Sequence, residues 1–315
     1  MIKRQLGNSG ITLAPLAFGG NVFGWSVNES ESFRLLDAFV DAGFNLIDTA
    51  DVYSNWVAGN CGGESETIIG RWMASRNNRN QVVIATKVGF KMNESDKGLS
   101  RDYILRAVEG SLRRLGTDTI DLYQSHVDDP DTPQLETLET YDLLIRAGKV
   151  RVIGASQYDA TRLREALQTS KEHGLPRYET LQPGYNLHDR AGYEAELEAV
   201  CLEHGLGVIS YASLARGFLT GKYRSEADLA NRARSPWVKG SLTERGFRIL
   251  AALDEVAARL NATPAQVSLA WLMARPGLTA PIAGATTVAQ LTELMGATRL
   301  ELDSESRDLL SKASA

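Results

Sequence analysis

Short apolar runs of four to six residues recur along the chain, and most are followed by a segment whose apolar positions return every three or four residues. The runs fall at 16–20, 44–48, 82–87, 119–124, 150–155, 179–182, 207–211 and 280–283. A continuous run this short predicts a strand buried on both faces, whereas the three-to-four spacing predicts an amphipathic helix. The helical segments are 30–42, 64–75, 101–115, 134–147, 160–170, 192–204, 244–260, 264–274, 287–297 and 304–312. Thr263-Pro264 marks one helix start, because a hydroxyl caps orphan N–H groups and proline is pre-set for the first turn. Ahead of the first unit, residues 2–6 and 11–13 flank Gly7-Asn8-Ser9-Gly10, a turn that predicts a β-hairpin.

Eight β/α units with no break in composition predict an α/β chain of one domain over 1–315: a single (β/α)8 TIM barrel with an N-terminal hairpin cap and extra C-terminal helices. The alternative, a doubly wound sheet, would ordinarily show GxGxxG after its first strand, and this chain does not. The net charge of −5, from 34 basic and 39 acidic side chains, gives no footprint for nucleic acid or an anionic membrane. No run approaches the roughly 20 apolar residues of a membrane span, and the start lacks a signal-peptide core, so a cytoplasmic protein acting on small molecules is expected. Cys61 and Cys201 have no partner at metal-ligand spacing, so neither a metal site nor a disulfide is expected.

In such a barrel the chemistry is built at the C-terminal strand ends, which here are Gly20, Asp48, Lys87, His126, Ser156, Gln182, Tyr211 and Gly284. Asp48 and Lys87 close neighbouring strands, and opposite charges in a desolvated mouth are tolerable as a pair. Tyr53 follows Asp48 by five residues in the stretch GFNLIDTADVYS. An ammonium beside a phenol favours the phenolate, so Lys87 is expected to lower the pKa of Tyr53 and make it a usable proton donor or acceptor. His126 can orient a carbonyl or share the proton. Aromatic residues in loops after the strands, Phe23, Trp25, Trp56, Phe90 and Trp237, together with Val127 and His126, are candidate walls for a partly apolar carbonyl compound. The glycine-containing loop 55–63 reads as free to adjust that pocket.

IDTADVY with Asp48 and Tyr53, ATK with Lys87 and DLYQSH with His126 resemble the aldo-keto reductase family, and the resemblance runs from the hairpin to the last helix. YASLARGFLTGKY, at 211–223, resembles the loop of bacterial members that are similar to potassium-channel β-subunits. The resemblance implies NAD(P)(H)-dependent interconversion of an aldehyde or ketone with an alcohol, without metal. By it Tyr53 is the general acid, Asp48 and Lys87 tune it, and His126 positions the carbonyl.

A nicotinamide needs carboxamide partners and a flat platform, for which Ser156, Gln157 and Gln182 and then Tyr211 are the candidates, with Gly20 and Asn21 beside them. Ser213, Leu214, Arg216 and Lys222 are expected at the pyrophosphate, and Gly284, Thr286, Gln290 and Glu293 at the adenosine. Where many NADPH-specific relatives carry a basic residue and an adenine-contacting Asn, this chain has Gly284, Thr286 and Gln290, and Leu294. NADPH is therefore expected on the resemblance alone, with NADH as the alternative. Two rival readings are a nucleotide-binding regulatory or redox-sensing protein and a Schiff-base enzyme using Lys87. The second is disfavoured because Asp48 would hold that amine protonated.

Overall fold

In the computed structural model, which describes residues 2–230 and 235–315, the eight apolar runs become eight parallel strands closed into a barrel. A two-stranded hairpin, β1 (Arg4–Gln5) and β2 (Thr12–Leu13), precedes them. The barrel strands are β3 (Ala17–Gly19), β4 (Leu46–Asp48), β5 (Val83–Val88), β6 (Ile120–Ser125), β7 (Val150–Ser156), β8 (Thr180–Gln182), β9 (Gly207–Ser210) and β10 (Leu278–Ala283). They pair in sequence order, and β10 closes the circle between β9 and β3, with Ala17 opposite Ile282.

Side chains alternate across each strand, and that period assigns every residue a layer. Leu46, Val83, Ala85, Leu122, Val152, Ile209 and Ala280 point inward and form a floor with Leu6, Ile11 and Leu13 of the hairpin. Ile47, Ile84, Tyr123, Ile153, Leu181 and Val208 point outward into the larger core under the helices. The expected hairpin cap is thus a plug. Its turn fits because Gly7 (φ +55°) lies against the floor backbone; a Cβ there would come within 2.5 Å of the Glu179 carbonyl oxygen.

The expected helices form with boundaries close to those read from periodicity. Helix Pro264–Met273 starts at a capping box in which Thr263 accepts from the Gln266 N–H and Gln266 reaches back to the Thr263 N–H. With helix Glu244–Leu260 it supplies two helices between β9 and β10, and helix Ser304–Ala313 follows helix Val288–Gly296. One segment differs. The helix expected over 192–204 is broken into Ala191–Glu194 and Leu197–His204, with Glu196 outside helical dihedrals at φ −142°. Around the break Glu194 takes the nearby Arg190 guanidinium and Tyr185 hydroxyl, and the distant Arg275 pairs with both Glu194 and Glu198. No helix among the described residues is long and apolar enough to cross a membrane.

Candidate active site

The inward register that makes the floor apolar continues upward into polar residues. Two positions above Leu46 stands Asp48, two above Ala85 stands Lys87, and Leu122 is followed by Gln124 and His126. Ser156 and Gln182 end β7 and β8, and Tyr211 follows β9, its N–H donating to the Pro183 carbonyl at 2.9 Å. Parallel pairing sets these ends side by side, with Lys87 level with Gln124 and Ser156 level with Gln182.

Lys87 is the hub. Wholly buried, its ammonium donates to Asp48 Oδ2 at 2.8 Å, to the Thr49 carbonyl at 2.7 Å and to the Tyr53 hydroxyl at 3.0 Å. Asp48 accepts at its other oxygen from Gln182 Nε2 at 2.8 Å, so both oxygens of the buried carboxylate are satisfied. Tyr53 has a long bond of 3.4 Å from its hydroxyl to Asp48 Oδ2 and stays partly open to the mouth. Burial lowers the Lys87 pKa while Asp48 opposes that shift. For Tyr53 the outcome reverses the expectation: burial and then the Asp48 charge push the phenol well above its ordinary range, so it keeps its proton.

His126 lies at the same rim, buried, with its ring 6.0 Å from that of Tyr53 and Phe90 packed edge-on at 4.4 Å. Burial and then the Lys87 charge hold its pKa well below the usual histidine value, which keeps the imidazole neutral, and its Nδ1 is buried without a hydrogen-bond partner. Trp56 stands 6.2 Å from Tyr53 and 5.8 Å from Trp25, which meets Trp237 at 6.3 Å. Trp56 and Trp237 are about half exposed, so this aromatic rim is open. Phe23 is not part of it: the ring is fully buried and stacks on Phe18 at 5.2 Å. The loop at 55–63 is pinned, since Asn60 Nδ2 donates to the Gly24 and Ser54 carbonyls and the Ser54 hydroxyl to the Phe23 carbonyl.

On the opposite side of the mouth the backbone takes unusual shapes. Gln157, Ala212, Ala215 and Arg216 all have positive φ, between 47° and 57°. Non-glycine residues reach that region at a cost, and successive left-handed turns form concavities of N–H groups suited to anions. Gly184 admits the Tyr211 ring, to which a Cβ would come within 3.0 Å, and Gly284 sits close over β3, where a Cβ would lie 3.1 Å from the Gly19 carbonyl oxygen, beside Asn21. The Ser156 hydroxyl donates to the Gln182 carbonyl, and the Gln157 amide donates to the His126 carbonyl at 3.0 Å, so Gln157 ties down the end of β6. Ser213 spends its hydroxyl on the Ser210 carbonyl, which leaves its backbone N–H as the candidate donor. Leu214 is half-buried, Arg216 is exposed, and the Lys222 ammonium lies over the Tyr223 ring at 5.3 Å. Gly20 is buried against the Asp48 carbonyl and the Ser65 hydroxyl, and at the start of helix Val288–Gly296 Gln290 accepts from the Thr286 N–H and hydroxyl while Glu293 accepts from the Thr263 hydroxyl. Leu294 is buried in the core.

Two residues of the site were missed by the sequence reading. Gln124 is fully buried beside Gln182, at 3.4 Å, and its period-two spacing below His126 was the available signal. Asp51 is buried between Asp48 and Tyr53, and a polar loop residue gives no such signal.

A mouth with hydrogen-bonding groups on one side, an aromatic rim on the other and a buried ion pair beside a phenol at its base suits a dinucleotide and a small organic substrate. Residues 15–315 match the model of the Aldo/keto reductase family. The chain is 36% identical over 307 residues to an uncharacterized oxidoreductase, YrpG, of Bacillus subtilis (strain 168), covering 95% of this chain and 92% of that protein. It is 33% identical to a probable voltage-gated potassium channel subunit beta of Oryza sativa subsp. japonica, covering 94% and 91%. It is 31% identical to the aldo-keto reductase yakc [NADP(+)] of Schizosaccharomyces pombe (strain 972 / ATCC 24843), covering 95% and 87%. These likenesses support a general oxidoreductase function. With a family match that runs from just before the first barrel strand to the last residue, the chain belongs to the aldo/keto reductase family.

Proposed function

We propose that the protein is an NAD(P)(H)-dependent oxidoreductase that reduces an aldehyde or ketone to an alcohol, or runs the reverse, with Tyr53 as proton donor. The observation that carries this reading is the Lys87 ammonium shared between Asp48 and the Tyr53 hydroxyl at the base of an open mouth. Reduced nicotinamide supplies the hydride when bound. Tyr211, Ser156 and Gln182 are the residues that would hold its ring end, the left-handed loop with Ser213, Leu214, Arg216 and Lys222 the pyrophosphate, and Gly284, Thr286, Gln290 and Glu293 the adenosine.

The proton chemistry follows from the hydrogen bonds. A neutral Tyr53 still has a proton to give, and its only acceptor within the triad is distant at 3.4 Å, so a carbonyl oxygen entering the mouth competes easily. As the proton leaves, the Lys87 N–H already directed at the phenolic oxygen stabilises the phenolate. Asp48 keeps that ammonium in place and is itself held by Gln182. Neutral His126, its ring fixed by Phe90, has one N–H with which to orient the carbonyl oxygen. The aromatic rim of Trp25, Trp56 and Trp237 would receive the apolar part of the substrate.

The absence of a basic residue at Gly284, Thr286 and Gln290 leaves NADPH preference resting on the relatives, one of which carries NADP(+) in its name. The name of the rice relative supports a second reading, a nucleotide-binding regulatory protein. The test is oxidation of NADPH and of NADH against a panel of aldehydes and ketones, with wild type beside Tyr53→Phe. Turnover that depends on Tyr53 is expected. Turnover indifferent to that substitution removes Tyr53 as the acid; cofactor binding without turnover of any carbonyl supports the regulatory reading; NADH binding as tight as NADPH overturns the cofactor preference.

A further inference from the structure

Between Asp48 and Tyr53 lies a carboxyl group that the proposed chemistry does not use. Asp51 is 3% exposed, its N–H donates to the Lys87 carbonyl at 3.4 Å, and its Oδ1 is buried with no hydrogen-bond partner. Behind it, Glu66 of helix Glu64–Arg76 is wholly buried and accepts from Arg114 Nε at 2.7 Å and from the Thr86 hydroxyl at 2.5 Å. Tyr103 of helix Arg101–Leu115 and Tyr123 of β6 close the surroundings with phenols.

Three carboxyl groups, Asp48, Asp51 and Glu66, therefore share this region with two cations, Lys87 and Arg114, and each cation is already paired, Lys87 with Asp48 and Arg114 with Glu66. A buried, unpaired carboxylate is costly, so the group left over is the one that takes a proton. Burial first and the Glu66 charge second raise the Asp51 pKa to about 8, against the pull of Arg114, the Val52 backbone N–H and Lys87.

We propose that Asp51 is a positioning residue that makes proton donation by Tyr53 depend on pH: neutral in the working state, it becomes a buried anion at higher pH and weakens Tyr53 as an acid. The anion acts on both members of the hub, since its charge raises the pKa of the Tyr53 phenol and of the Lys87 ammonium. It also leaves the loop that carries Tyr53 with an unpaired charge inside the wall. This inference rests on the reading of Tyr53 as proton donor, but Asp51 can be observed without any turnover.

Three measurements test it on the full chain. First, carboxyl-carbon NMR of wild type labelled in its aspartates should show one signal titrating near pH 8 that is missing from Asp51→Asn. Second, the sign of the stability effect is fixed. The folded-state pKa is raised above the unfolded value of about 3.9, so the stability Asp51 contributes is full below that value and is lost as pH rises toward about 8. The melting temperature of Asp51→Asn relative to wild type should accordingly climb with pH and level off above about 8. Third, the alkaline fall in kcat for carbonyl reduction should have an inflection near that pH in wild type, and Asp51→Asn should lose it. If the Asn variant does not fold, Glu66→Gln serves instead, and should move the NMR titration and the kinetic inflection to lower pH together. An inflection retained in Asp51→Asn, or no aspartate titrating above pH 6, overturns the inference. Loss of the inflection in a protein whose turnover ignores Tyr53→Phe would instead overturn the proton-donor reading while leaving the titration of Asp51 in place.

Discussion

The two ends of the barrel are made from the same strands yet obey opposite rules. At the floor, Leu46, Val83, Leu122 and Val152 meet the hairpin residues Leu6, Ile11 and Leu13 in an apolar layer. At the mouth, residues two to four positions further along those strands, Asp48, Lys87 and His126, are buried and polar, and the backbone after β7 and β9 is held in left-handed conformations. Burial at the floor stabilises the fold through removal of apolar surface from water, at about 25 cal/mol per Å². Burial at the mouth costs free energy, and what it produces is a set of charges and a phenol whose proton affinities differ from those in water. Height along the barrel axis therefore separates stability from chemistry.

Substitutions at the two ends sharpen or break that separation. The largest effect is expected for Tyr53→Phe, which keeps the ring and removes the proton: kcat for carbonyl reduction should fall by roughly 100- to 10,000-fold, with little change in melting temperature. Lys87→Met should harm both properties, because Asp48 would be left as a buried, uncompensated charge; urea unfolding should show a loss of about 3–5 kcal/mol, and turnover should vanish. Leu13→Ala in the floor should cost about 2–5 kcal/mol by the same unfolding measurement while kcat at a temperature where the variant is folded stays near wild type. A floor substitution that lowers kcat as much as Tyr53→Phe would show that the two ends are not separable. The smallest effect is expected for Thr263→Ala, which removes the cap of helix Pro264–Met273 and a hydroxyl held by Glu293: about 1 kcal/mol of stability.

The sequence was most informative where one periodicity decides one layer. The recurrence of a short apolar run followed by a helical spacing marks eight β/α units, and the residue that closes each run, such as Asp48 after 44–47, marks the strand end. It was least informative where a residue's partner lies far along the chain. That Gln182 holds Asp48, 134 residues away, follows from barrel closure and from nothing local. At the break after Glu194, which the helical pattern runs through unmarked, Glu194 and Glu198 both pair with the distant Arg275. Phe23, read as a pocket wall, proved to belong to the core, and Asp51, a polar loop residue on which the sequence offered no reading, proved buried. The shift at Tyr53 was misjudged because the sequence places Lys87 beside it without showing that Asp48 and burial act there more strongly.

Closure of the barrel also has a consequence in time. Ala17 of β3 finds its second neighbour only in Ile282 of β10, so β3 and β9 each keep an unpaired edge until nearly the whole chain has been made. At synthesis rates of roughly 5–20 residues per second, that interval is of the order of ten seconds or more. Once β9 has also been made, two rows of free N–H and C=O groups are open to pairing with a neighbouring chain. A chain ended before Leu278 would keep those edges permanently, and aggregation, rather than a smaller working barrel, is its expected fate.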